Sequence, residues 1–187
     1  MGRLIYSSIA SLDGYIEDET GDFGWAAPDH EVHAFVNDLE RPIGTYLYGR
    51  RMYDTMVYWE TTGDATSESP ESRDYAAVWR AADKIVYSRT LTSVSSSRTR
   101  LEHSFDPAAV VQLKEASDRG LGIGGPDLAG QALAAGLVDE IQLFLVPVLV
   151  GGGKPALPPG VRLDLDLLGE RRFRGGTIYL RYAVRAR

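Results

Sequence analysis

The sequence predicts a single α/β domain on a mixed, mostly parallel sheet with an antiparallel C-terminal edge and flanking helices. Two observations carry this. Through the first two thirds, short apolar runs alternate with stretches of helical periodicity, the pattern of strand–helix–strand units. In the last third the helices stop, and β-type segments follow one another at 139–150, 161–168 and 176–185. The 161–168 segment alternates strictly, as suits a sheet with one wetter face. At 187 residues the chain fits one domain, 1–187, with a good-sized core.

Residues 3–10 read as the first strand, and 11–28, with Gly14, Gly21, Gly24 and Pro28, as a long loop. A helix over 29–40 follows from Val32, Phe35, Val36 and Leu39 at i, i+3, i+4 and i+7. Residues 43–49 are a strand and 50–57 a short helix. The polar segment 61–72 reads as exposed loop and 73–82 as helix. Residues 84–87 form a buried strand, 88–100 a loop, and 101–105 a short strand. Asp106 caps a helix to about 117, with Pro107 at its first position. Residues 120–124 are a strand, and 127–136 a helix ending at Gly136.

Composition narrows the function classes. The chain is 44% hydrophobic and 25% charged, ordinary for a globular domain. A net charge of −6 leaves no basic footprint for nucleic acid, so an anionic ligand needs a local arginine cluster. The absence of cysteine excludes disulfides, thiolate nucleophiles and cysteine zinc sites. No run reaches transmembrane length and the N-terminus is unlike a signal peptide, so the expectation is a cytoplasmic protein without a membrane partner.

Three strand ends carry residues suited to phosphate. Gly124-Gly125 precedes the helix opened by Pro126, Asp127 and Leu128, where bare backbone N–H groups and the helix dipole favour an anion. A tight turn without ligand explains the same glycines. The wider Gly120–Gly125 stretch matches G-x-G-x-x-G, but those glycines lie within the strand instead of after it, so it is not a dinucleotide fingerprint. Gly49-Arg50-Arg51 places two arginines where a helix dipole prefers anions, and Ser88-Arg89 pairs a hydroxyl with a guanidinium after a strand. Ligands of α/β sheets gather at such carboxyl ends.

Other motifs are weaker. Gly151-Gly152-Gly153-Lys154-Pro155 lacks the first glycine and the Ser/Thr of a P-loop. His30 and His33 are three apart instead of the four of a zinc-binding helix, so no metal is expected. Glu31 shares an edge of the apolar helix face with Phe35 and Leu39. It is placed either to relay a proton or simply to favour the helix dipole. Asp13-Gly14 is a turn or a site, and Trp25 a lid aromatic or a packing residue.

Taken together, SLDGYI (11–16), Trp25, YGRRMYD (48–54), YSR (87–89), GIGGPDLAGQAL (122–133), GLVDEIQLFLVPVLVGGGKP (136–155) and the C-terminal strands resemble the dihydrofolate-reductase-like family. That family includes the reductase domain of the bifunctional riboflavin-biosynthesis deaminase/reductase. The resemblance implies a sheet of about eight strands that binds NADPH across its strand ends. It assigns Gly49, Arg50 and Arg51 to the nucleotide side, Ser88 and Arg89 to the 2′-phosphate, and Gly124 and Gly125 to the pyrophosphate. The nicotinamide then lies near Ala10 and the loop from Asp13, and the chain forms a homodimer through C-terminal strands. The acid expected about five residues after Trp25 is displaced, since that position is His30 with Glu31 next, and Met52 stands where threonine is usual. Without cysteines there is no deaminase zinc motif, so a stand-alone reductase-type domain is expected.

The function expected is NADPH-dependent hydride transfer to a C=N or C=O bond of a small molecule of pterin or pyrimidinone type. Glu31 is the candidate proton relay, and Asp13, Trp25 and Tyr53 are candidates for the substrate pocket. The alternatives are a non-catalytic ligand-binding module on the same fold and a true dihydrofolate reductase.

Overall fold

A computed structural model describes residues 1–62 and 68–185; residues 63–67 of the expected 61–72 loop lie outside the described residues. Eight strands form one sheet. In chain order these are β1 (Leu4–Ser11), β3 (Ile43–Gly49), β4 (Asp83–Tyr87), β5 (Thr99–Glu102), β6 (Gly120–Gly124), β7 (Glu140–Val146), β9 (Leu165–Arg172) and β10 (Ile178–Val184). Their spatial order is β5-β4-β3-β6-β1-β7-β10-β9. The first six in that order pair in parallel, while β10 is antiparallel to both β7 and β9. The expected parallel centre and antiparallel edge are both present.

Helices cover the two faces. On one side α5 (Pro107–Ala116) and α6 (Pro126–Ala134) pack Val110, Leu128, Ala129 and Leu133 onto Leu4, Leu47, Leu121 and Ile123. On the other lie α1 (His30–Glu40), α2 (Arg50–Met56), α3 (Tyr58–Thr61) and α4 (Pro70–Ala81). There Tyr53, Tyr75 and Trp79 bury against Tyr46, Tyr48 and Val86. Alternation along β6 divides these layers. Leu121 and Ile123 face α5 and α6, whereas Gly122 and Gly124 lie under the rings of Tyr46 and Tyr48. A Cβ on Gly122 would meet the Tyr46 ring at 2.8 Å.

Several boundaries differ from expectation. The long loop holds β2 (Tyr15–Glu17), which pairs with β8 (Lys154–Pro155) in a separate two-stranded sheet. Helix α4 begins at Pro70 instead of 73, because Ser69 caps it by accepting from Ser72 N and Pro70 suits the first turn. Strand β7 stops at Val146, before Pro147, which has no N–H for the ladder. Strand β9 starts at 165 instead of 161, because the turn closed by Phe173 N and Thr177 O sets its register on β10.

Candidate active site

A cavity of about 1240 Å³ opens at the carboxyl ends of β3, β4 and β6 and runs between the sheet and α1. It exists because the sheet surface beneath it is small or polar: Ser7 from β1, Gly122 and Gly124 from β6, Gln142 from β7. Gly49, Arg50, Arg51, Ser88, Arg89, Gly124, Gly125, Pro126, Asp127 and Leu128 all line it. The three strand ends singled out in the sequence therefore meet in one place.

Gly125 takes φ +89° as N-cap of α6, with Pro126 in the first turn. That turn offers backbone N–H groups with no side-chain cap, in a conformation suited to glycine. Met52 fills the space beside it: a Cβ on Gly125 would lie 3.3 Å from Met52 Cβ. Arg50 donates to Thr90 Oγ1 at 2.9 Å and pairs loosely with Asp54 at 3.6 Å. Arg51 and Arg89 are exposed and have no carboxylate partner among the described residues. The Ser88 hydroxyl accepts from Thr90 N and Leu91 N, so it shapes the turn that presents Arg89.

Five expected site residues do not line the cavity. Ala10 is buried within β1 opposite Leu145. Asp13 accepts from Val150 N at 3.2 Å and Gly151 N at 2.8 Å, tying the two loops together. Hydrogen bonds, from Ser11 above all, hold its carboxyl below the usual range. Trp25 sits in a 3-10 turn and donates to Asp22 O, while its neighbours Phe23, Ala26, Ala27 and Pro28 form the wall. The Tyr53 hydroxyl accepts from Ser95 N and Ser96 N at 2.9 and 3.1 Å, stapling the loop before β5. Burial pushes that phenol up, but the hydrogen bonds from Ser95 and Ser96 outweigh it and hold it below its usual value.

Glu31 is the main correction. Its carboxylate accepts from Arg171 Nη2 at 3.2 Å and Arg174 N at 3.1 Å, on the side of α1 facing the β9–β10 hairpin. The cavity side of the same helix carries His33, Val36, Leu39 and Glu40. Helix α1 is apolar on both sides. Its Phe35 side meets Phe144, Phe173 and Tyr179, with ring centroids 6.2, 5.3 and 5.0 Å away. Periodicity alone does not say which side faces open space.

Sequence reasoning also missed His33 and Glu40 as cavity residues. His33 lies between Trp59 and Tyr75, with centroids 6.0 and 5.8 Å away, and burial pushes its imidazole down. His30 turns away to Glu71, so the two histidines do not converge. Burial pushes the Glu40 carboxyl up to about 7, with the nearby Tyr46 hydroxyl partly offsetting this. Glu40 is half-buried in the cavity lining, beside the Tyr46 hydroxyl. The spacing of Glu40 from His33 and Val36, i+7 and i+4, was the available signal.

Among the described residues no helix is long and apolar enough to cross a membrane. The protein YyaP of Bacillus subtilis (strain 168) is 26% identical over 182 residues, covering 96% of this chain and 94% of YyaP. A crystal structure of a protein assigned to riboflavin biosynthesis, from Shewanella sp. PV-4, superposes with TM-score 0.75 and 21% identity over 98% of this chain and 99% of that one. Dihydrofolate reductase from Enterococcus faecalis, complexed with NADP(H) and RAB-propyl, superposes with TM-score 0.64 and 13% identity over 99% of this chain and 98% of that one. These likenesses show a dihydrofolate-reductase-like fold. The family model of the RibD C-terminal domain matches residues 3–179 and, with that fold, supports an oxidoreductase role. The chain belongs to the RibD C-terminal domain family.

Proposed function

We propose that this protein is an NADPH-dependent reductase of small heterocycles of pterin or pyrimidinone type. One observation carries the reading. Two arginines without a carboxylate partner among the described residues, Arg51 and Arg89, and the uncapped turn at Gly124-Gly125 line one cavity at the carboxyl ends of three parallel strands. Guanidinium groups without carboxylate partners are suited to bidentate phosphate binding, and the first turn of α6 to a pyrophosphate. Arg89 fits the 2′-phosphate, while Arg50 and Arg51 border the same nucleotide side. The similar fold that holds NADP(H) supports this cofactor.

When bound, the nicotinamide supplies hydride; the chain supplies orientation, exclusion of water and the accompanying proton. Glu31 is committed to Arg171, so the proton route passes through groups that line the cavity. The test is a titration with NADPH and NADH followed by fluorescence. Micromolar NADPH binding with at least about tenfold preference over NADH is expected. Failure of both to bind below millimolar overturns the reading.

We also propose a homodimer through the β9 edge, where Leu165, Leu167 and Leu168 are 36%, 54% and 49% exposed on a strand with one unpaired side. Sedimentation that yields monomers at micromolar concentration rejects it.

A further inference from the structure

A histidine stands beside the phosphate-suited residues at the end of β4. His103 follows β5 directly and lines the cavity with Ser88, Arg89 and Ser104. The pairing of the two strands fixes its position. Ser88 N donates to Glu102 O at 2.9 Å, and the next ring turns back onto the Ser88 carbonyl, with His103 Nδ1 3.0 Å from the oxygen. A carbonyl oxygen only accepts, so Nδ1 carries a proton and donates. That sets the tautomer. In the neutral ring Nε2 then holds a lone pair and can only accept. Nε2 has no hydrogen-bond partner among the described residues.

We infer that His103 is a proton-linked determinant of cofactor choice: its Nε2 binds the 2′-phosphate of NADPH only as imidazolium, so NADPH binding takes up a proton and NADH binding does not. The inference rests on the reductase reading and on Arg89 as a 2′-phosphate contact. An ionised phosphate oxygen only accepts, so the neutral ring meets it lone pair to lone pair. A proton taken from solvent turns Nε2 into a donor and adds a positive charge beside Arg89, while Nδ1 keeps its bond to Ser88 O. No bond of the cofactor changes. The charged and titratable groups on the elements around His103 are few. Tyr87 ends β4, and burial pushes its phenol up to about 12, so it stays neutral. Arg89 follows it, and Arg50 reaches over from α2 to Thr90. Both nearby carboxylates are engaged: Glu102 with Arg100 at 3.3 Å, and Asp106 with Ala108 N at 2.9 Å as the cap of α5. The phosphate is therefore the anion left for the imidazolium. Histidine changes charge between about pH 5 and 8, so the coupling falls near neutrality.

The experiment titrates the full chain and its His103→Gln variant with NADPH and with NADH at about pH 8 and about pH 6, at one ionic strength. From the higher pH to the lower, NADPH is expected to tighten about fivefold more in the parent protein than in His103→Gln, the size of one exposed charge-assisted hydrogen bond. NADH is expected to respond to pH alike in both. The 2′-phosphate has its own ionisation near pH 6, but both proteins share it, so the difference between them reads the histidine. Glutamine keeps a donor without a titration. A role for His103 confined to holding Ser88 would lower NADPH affinity in the variant by the same factor at both pH values, and that result overturns the inference. So does an identical pH response of NADPH in the two proteins. If NADPH binds in preference to NADH with no such difference, the reductase reading stands and the role of His103 falls. If NADPH binds at neither pH, the reductase reading fails and takes the inference with it.

Discussion

Lys154 Nζ donates to Asp127 Oδ2 at 2.6 Å, joining β8 to the first turn of α6 at the rim of the cavity. The α6 dipole favours the acid, but its charge also stands beside the turn proposed above for a pyrophosphate. Lys154 offsets that charge. Lys154→Ala is therefore expected to weaken NADPH and NADH alike, by about fivefold, the size of a rim ion pair. Both share the pyrophosphate, so a loss confined to NADPH in parallel fluorescence titrations would contradict this placement.

Arg89→Ala makes the complementary prediction. Loss of a charge-assisted contact to the 2′-phosphate should weaken NADPH by about tenfold or more and leave NADH nearly unchanged. Equal losses would remove the assignment.

Gly125 and Gly14 separate strain from contact. Both have positive φ, +89° and +91°, but only Gly125 has a neighbour, Met52, where a Cβ would go. Gly14→Ala is expected to cost about 1–2 kcal/mol, the left-handed penalty alone. Gly125→Ala should cost more and should also weaken NADPH. Chemical denaturation of both variants reads the difference, and equal costs would show that Met52 yields freely.

Glu40 should make stability depend on pH. Its carboxyl is raised from 4.5 to about 7 by burial, so between those values the folded state binds more protons than the unfolded. Its contribution is fully present below about 4.5 and is lost as pH rises through about 7, at most about 3 kcal/mol in all. Glu40→Gln should flatten that part of the profile. Denaturation midpoints at pH 5 and pH 8 that shift equally in both proteins would rule the effect out.

Glu31→Ala should act on stability alone. The pair with Arg171 is partly exposed, 35% and 43%, so its loss is worth up to about 1 kcal/mol. NADPH affinity should not move; a tenfold change would return Glu31 to the site.

The central sheet was legible because each inner strand carries a pattern that only one arrangement satisfies. In β6 the glycines and the Leu121–Ile123 pair fall on opposite faces, and in β4 Ile85 and Val86 serve two different cores. The outer parts were less legible. Strand β9 is exposed on both faces, so alternation did not mark its start, and β2 and β8 exist only through pairing with each other across the chain. The same contrast holds for the site. Arginines and glycines at strand ends could be read from position. Glu31 and Glu40 occupy one helix with two apolar sides, and which side is filled by aromatic rings is decided by Phe173 and Tyr179, far along the chain. The signal for α4 was present in Ser69-Pro70, a cap and a first-turn proline inside a segment whose polarity suggested loop.

The room in which the Tyr46 and Tyr48 rings lie is set by side chains that β6 does not have. A single methyl at Gly122 would press on the Tyr46 ring at 2.8 Å, and one at Gly124 on Tyr48 at 2.9 Å. The seating of two cavity-lining rings is therefore written into the small residues of a neighbouring strand. A side chain gained at either position would displace a tyrosine ring and reshape the cavity, while the arginines at the strand ends stay as they are.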